Sequence, residues 1–257
     1  MSLVGAVVET LEKYGLIAGF VFVAVIMWGS YTLTNRLTGG RLHGSAVAIT
    51  IGLALAYVAG EMTGGSNGVA DWPMLAGVAL LGGGMLRDFA IVATAFGADP
   101  AHMKAAGLAG VVSLVVGVVL SFLVGALAAV AFGYHDAVSV STIGAGAATY
   151  IVGPVTGAAL GASSEVIALS IAAGLVKSVM VMIGTPYVAR FIGLTTPEAA
   201  LVYGGLMGTT SGVAGGLAAT DPKLVPYGAM TATFYTGLGC LLAPSLLFII
   251  TRAILGG

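Results

Sequence analysis

Residues 137–161 read AVSVSTIGAGAATYIVGPVTGAALG, a stretch without a single charged side chain. At about 1.5 Å of rise per residue, such a run can cross a hydrocarbon core about 30 Å thick. It is nevertheless a poor continuous helix. Pro154 has no N–H and disfavours helical geometry at Gly153, while Gly144, Gly146, Gly157 and Gly161 loosen the turns on either side. The expectation is a helix that stops and restarts inside a membrane, leaving unpaired backbone ends within the bilayer.

The rest of the chain agrees with that solvent. Hydrophobic residues make up 58% of the 257 and charged residues 7%, against about 25% charged in soluble domains. Mean hydropathy is +1.08, so most of the surface is expected to face lipid rather than water. Net charge is −1 and the Lys and Arg residues are scattered, which excludes a nucleic-acid-binding patch. Cys240 is the only cysteine, so neither an intrachain disulfide nor a cysteine metal site is available. The N-terminal MSLVGAVVETLEKYG lacks the basic region and cleavage site of a secretory signal. The first apolar run is therefore expected to be retained.

About eight runs satisfy the length criterion for a membrane span. They cover 15–33, 44–60, 73–96, 107–132, 137–161, 166–192, 199–219 and 227–254. Strand periodicity is absent, which predicts an all-α polytopic membrane protein forming one domain over 1–257. Within it, 1–61 reads as scaffold helices and 73–255 as a transport core with broken helices. Arg36 and Arg41 in the first loop, set against Glu61 and Asp71 in the second, place the first loop in the cytoplasm.

The segment Gly83–Pro100 aligns without gaps on Gly205–Pro222, matching Gly83 with Gly205, Met85 with Met207, Asp99 with Asp221 and Pro100 with Pro222. Inverted repeats with interrupted helices meeting near the midplane are common in secondary transporters, including those that move like an elevator. Inversion here requires one intervening run to be a re-entrant hairpin. The fifth, with Gly153-Pro154 at its centre, is the candidate.

Broken helices can hold an acid and a cation together, because N–H groups at a half-helix start attract anions and unwound carbonyls attract cations. The breaks carry hydroxyls at Thr142, Thr149, Thr156, Thr209, Thr210 and Ser211, beside Gly153, Gly208 and Gly212. Charges at Arg87, Asp88 and Lys177 fall inside spans, where each costs about 2.5–3.5 kcal/mol unless it meets a cavity or partner. Arg87, Thr149, Lys177, Thr209, Thr210, Ser211 and Gly212 are therefore the candidate substrate contacts. Asp88, Thr142, Gly153, Thr156 and Gly208 are candidates for binding a coupling sodium ion or proton. A structural ion pair between Asp88 and Lys177, and helix packing through the glycines, are the alternatives. His43, His102 and His135 read as solvated loop residues without metal-ligand spacing. The chain carries no nucleophile elbow, P-loop or HExxH motif. Neither a catalytic residue, a transition-metal site nor a resident cofactor is expected.

Three stretches carry a family resemblance. They are GAGAATYIVGPVTGAALGASSEVIALSIAAGLVKSVMVMIGTPYVARFIG from 144, GGLMGTTSGVAGGLAATDPKLVPYGAMTATFYTGLGCLLAP from 204, and GGGMLRDFAIVATAFG from 82. The chain resembles MadM, the large subunit of bacterial malonate transporters, over nearly its whole length. The resemblance implies sodium-coupled malonate uptake across the bacterial inner membrane and a smaller membrane partner, MadL. It assigns no ligand residue. Electrostatics agrees with coupling, since each negative charge moved inward opposes about 2.3 kcal/mol per 100 mV. The rival readings are the membrane subunit of a sodium-pumping decarboxylase and a channel or exporter like the LrgB proteins.

Overall fold

The computed structural model describes residues 3–39, 44–64, 68–81 and 100–255. Every regular element among them is helical. The chain divides into two compact units, Met1–Val92 and Ala93–Gly257. Arg87, Asp88, His43 and the first member of the internal alignment, up to residue 99, lie outside the described residues.

In the first unit α1 (Leu3–Lys13) leads into α2 (Gly15–Thr38), which packs against α3 (Gly44–Thr63). A Cβ on Gly44 would stand 2.5 Å from the Tyr31 ring, so only glycine lets the two helices approach there. Helix α2 stops at Gly39, whose φ of 59° is left-handed. The described start of the third apolar run is a 3-10 turn, Pro73–Leu75, and a single helical turn, α4 (Gly77–Leu80).

The second unit begins with α5 (Pro100–Ala131), kinked at Gly107. Then come α6 (Ala137–Ala148), α7 (Val152–Leu160) and the long α8 (Ser164–Val188). After these follow α9 (Pro197–Met207), α10 (Thr210–Ala218) and α11 (Val225–Leu242). A π-helical turn, Ala243–Leu247, joins α11 to α12 (Phe248–Leu255). Asp136, Ser163 and Thr196 cap the starts of α6, α8 and α9 by accepting N–H bonds from Ser139, Val166 and Ala199.

The fifth apolar run is two short helices rather than one continuous one. A Cβ on Gly153 would lie 2.8 Å from Gly146 Cα, and one on Gly157 2.9 Å from Thr142 Cγ2. Residues equidistant from Thr149–Tyr150 thus face each other, the signature of an antiparallel hairpin. The expected hairpin is present, but its turn is not at Gly153-Pro154. The turn lies at Thr149–Ile151, and Pro154 sits in the first turn of α7, where a missing N–H is no loss. Glycine at 146, 153 and 157 lets the arms touch each other and α8, against Ser170 and Ile167.

The seventh run, read from sequence as an interrupted helix, is a second hairpin. Thr185 of α8 meets both arms: its Oγ1 is 2.7 Å from the Tyr203 hydroxyl on α9, and a Cβ on Gly216 of α10 would stand 2.3 Å from it. Thr209, at the break, instead meets Ser178, two turns back along α8. The arms touch little because α11 wedges between them. Gly228 lies against Gly204 on one side and against Val213 and Leu217 on the other.

Of the eight expected crossings the third lies mostly outside the described residues; among those described, five stretches are long and apolar enough to cross a membrane, four of them being Gly15–Thr38, Ala106–Ala131, Glu165–Val188 and Pro222–Leu255, with the fifth beginning at Val47 in α3. In the second unit the first hairpin follows α5 from the end that helix reaches, and the second follows the long α8 from the opposite end. Large side chains such as Val124, Phe132, Met180, Leu241 and Ile249 are exposed, as a lipid-facing surface requires.

Candidate functional site

The two hairpin tips converge on the middle of α8. Lys177 Nζ donates to Ala148 O at 2.9 Å, to Ser121 Oγ at 2.9 Å and to the Tyr235 hydroxyl at 3.3 Å. Ala148 is the last residue of α6, so the ammonium sits where an unpaired carbonyl marks the negative end of a helix. One residue on, Thr149 Oγ1 accepts from the N–H groups of Ile151 and Val152, each at 3.2 Å, and caps α7. The first tip packs tightly on α8, since a Cβ on Gly174 would stand 2.1 Å from Tyr150 N.

The second tip docks one residue further along α8. Thr209 Oγ1 donates to Ser178 Oγ at 2.7 Å, and Ser178 and Ser211 hydroxyls are 2.8 Å apart. Gly208 takes φ 70° to end α9, a conformation that disfavours any side chain. Gly212 lies directly on the Ser178 backbone.

Tyr235 of α11 joins the tips. Its ring covers Gly208, lies 5.0 Å from Lys177 Nζ, and its hydroxyl donates to Gly117 O of α5 at 3.1 Å. Among the described residues no carboxylate pairs with Lys177. The junction is thus a half-buried cation ringed by neutral hydroxyls and helix ends, an arrangement that attracts an anion.

The structure brings together Thr149, Lys177, Gly208, Thr209, Ser211 and Gly212. Thr210, at the start of α10, is half-buried beside them. Thr142, Gly153 and Thr156 lie elsewhere, back along the first hairpin. Thr142 Oγ1 bonds to Val138 O at 2.8 Å, and Gly153 N–H to Thr149 O at 3.3 Å. Ser121, Ser178 and Tyr235 were not legible as site residues. Ser178 follows Lys177 directly, but a lone serine in an apolar run gives no signal of its own.

Farther out, a cleft of about 1440 Å³ runs between α5, α8 and α9, past Val124, Val176, Met180 and Leu206, and reaches Lys177. Its walls are apolar and suit lipid or a helix better than a dianion. At its outer end His102 Nδ1 lies 2.5 Å from Glu198 Oε1. The hydrogen bond from His102 holds the Glu198 carboxyl below its ordinary range. His102 is partly solvated as expected, but it lies in the first turn of α5 rather than in a loop, and it ties that helix to the base of the second hairpin.

Residues 7–255 match the family described as the malonate/sodium symporter MadM subunit. The chain belongs to the MadM family. No curated protein and no solved structure matches it. MadM is a transporter family, and the chain is a membrane protein with five stretches among its described residues long and apolar enough to cross a membrane. For a MadM chain, the junction of hairpin tips is the place in the described residues where charge, hydroxyls and broken helices coincide.

Proposed function

We propose that this chain carries malonate into the cell together with sodium, binding the dicarboxylate where the two hairpin tips meet. The observation that carries the reading is Lys177: a cation in mid-span, without a described carboxylate, placed between helix breaks that approach from opposite ends. All three of its donors are engaged by protein acceptors. It therefore sets the potential of the junction, while Thr149, Thr209, Thr210 and Ser211 with Gly212 supply direct contacts to the carboxylates. Arg87 as a carboxylate clamp and Asp88 as a sodium ligand or proton carrier remain proposals from the sequence, both lying outside the described residues.

Malonate is mostly a dianion at neutral pH, so inward movement against 100 mV opposes about 4.6 kcal/mol. Coupled cations offset that work, sodium alone or with a proton. Opposed hairpins that share one docking helix suit an elevator-like displacement, in which the tips shield the substrate from each side in turn. A small MadL-like membrane subunit completes the carrier in the bacterial inner membrane.

The test is radiolabelled malonate uptake into proteoliposomes holding the chain with and without the small subunit, under an imposed sodium gradient. Uptake is expected only when both subunit and gradient are present. Saturable uptake that persists at full rate without sodium, or no uptake under any condition, overturns the reading.

A further inference from the structure

The junction leaves two buried hydroxyls unused. Ser141 Oγ on α6 and Thr156 Oγ1 on α7 belong to fully buried residues, and neither has a hydrogen-bond partner. No other buried side-chain nitrogen or oxygen among the described residues of the second unit is in that condition. A hydroxyl in an apolar helix ordinarily bonds back to a carbonyl one turn earlier, as Thr142, Thr185, Thr231 and Thr251 do. Ser141 and Thr156 do not, and a buried polar group in that state points to a ligand.

Hairpin register places the two together. Thr142 faces Gly157 across the arms, and Ser141 and Thr156 each precede one of these residues. In antiparallel helices a step of one position turns both side chains to the same side of the pair, at nearly the same depth. That side can be named. Val152, one turn before Thr156, packs on Gly239 of α11. Ala145 and Ala148, one and two turns after Ser141, share a core cluster with Val152, Ala243 and Leu247. Because α7 runs parallel to α11, Thr156 comes level with Ala243. The π-helical turn Ala243–Leu247 packs against both arms, and its Ala243 and Leu247 belong to that same cluster.

A π turn widens the backbone, and Pro244 withdraws the N–H that an α-helix would offer to the Cys240 carbonyl. Ser245 bonds back to Leu241 O. The seam therefore offers hydroxyl and carbonyl oxygens, and neither the hairpin, residues 137–161, nor the segment 240–247 carries a charged side chain. Oxygens without formal charge suit a small hard monovalent cation; a divalent ion takes carboxylates.

We propose that Ser141, Thr156 and the Cys240 carbonyl, which Pro244 leaves without its helical N–H at the entry to the Ala243–Leu247 turn, bind a cation of sodium's size. This rests on the transport reading for its role, and it places the coupling ion one to two turns behind the tip that meets the substrate. Sodium bound there ties the first hairpin to α11, the helix whose Tyr235 also covers the second tip.

The experiment is thermal unfolding of the purified full-length chain in detergent, titrated with NaCl against choline chloride at constant ionic strength and without malonate. Wild type is expected to show a saturable, sodium-specific rise in midpoint. Ser141→Ala and Thr156→Val should raise the half-saturating sodium concentration at least ten-fold, while Thr156→Ser, which keeps the hydroxyl, stays near wild type. Thr233→Val, on a face of α11 where the hydroxyl already bonds Ala229 O, should leave the curve unchanged. If either substitution prevents folding, Thr156→Cys exchanges oxygen for sulfur at similar volume and should weaken sodium by a similar factor. Absence of a sodium-specific rise in wild type, or an unchanged half-saturation in the oxygen-removing variants, overturns the site. Sodium stabilisation lost in these variants, in a chain that takes up no malonate, would support the site and overturn the transport reading alone.

Discussion

Tyr235 lies flat over Gly208: a Cβ on that glycine would stand 2.3 Å from the Cε1 and Cζ atoms of the ring. The same ring is 5.0 Å from Lys177 Nζ, which holds the other tip through Ala148. One aromatic side chain thereby links two chain breaks that are far apart in sequence, and a change at either tip is felt at both.

Gly208→Ala tests that link. A left-handed residue other than glycine costs about 1–2 kcal/mol, and overpacking a tight contact costs about 1–3 kcal/mol more. The expected outcome is a lower thermal midpoint together with loss of malonate uptake. A variant of wild-type stability and rate would show that the ring does not fix the tip.

Tyr235→Phe keeps the ring over Gly208 but removes the hydroxyl that donates to Gly117 O and accepts from Lys177. Losing a hydrogen bond costs about 0.5–1.5 kcal/mol, and about 1.5–3 kcal/mol where one partner is charged, as at Lys177. Uptake at saturating malonate should fall several-fold with retained membrane insertion. Unchanged transport kinetics would remove Tyr235 from the coupling between tips.

Lys177→Met deletes the cation and leaves Ala148 O and Ser121 Oγ without their donor. Half-saturating malonate should rise by well over ten-fold, whereas Lys177→Arg retains the charge and should recover part of the affinity. Equal affinities in Met and Arg variants would mean that charge at the junction does not attract the substrate.

Thr149 caps α7 through Ile151 and Val152. Loss of an N-cap costs about 1 kcal/mol. Thr149→Val should lower the midpoint by that order and impair uptake, and Thr149→Ser should preserve both. Thermal unfolding and uptake on the same preparations separate capping from substrate contact.

The pairing of His102 with Glu198 sits at the outer ends of α5 and α9. A carboxyl held below its ordinary value near 4.5 contributes stability that is present above that value and is lost as pH falls through the lowered one. Both groups are substantially exposed, so the effect should be small. Glu198→Gln is expected to flatten the acid limb of the midpoint-versus-pH curve below about pH 4.5, leaving neutral pH nearly unchanged. An acid limb identical to wild type would show that the contact contributes nothing.

How much of this was readable in the chain varies by residue. Pro154 and the glycines around it announced a break, because their effect on a helix is local. They misplaced it: Pro154 is tolerated in the first turn of α7, and the turn falls at Thr149–Ile151, where no residue is a strong breaker. The GTTSG run marked the second tip correctly at Gly208–Thr209. Nothing local marked that run as returning rather than continuing, since α9 and α10 diverge around α11 only because Gly204 and Gly228 permit contact there. Ser121, Ser178 and Tyr235 had no sequence signal, since their roles consist of distances to residues remote in the chain.

The sequence alone determined the solvent, the helical class and the presence of two interrupted segments. Each of these follows from composition within about twenty residues, because lipid penalises unpaired charge and backbone wherever they occur. Tertiary structure decided that the chain turns back at both interruptions, that the tips arrive from opposite ends at Lys177 and Ser178, and that Ser141 and Thr156 are buried without a hydrogen-bond partner. Direction after a break is not a property of the break. It is set by which neighbouring surface has the glycines to receive the returning arm, and that surface exists only once the helices have packed.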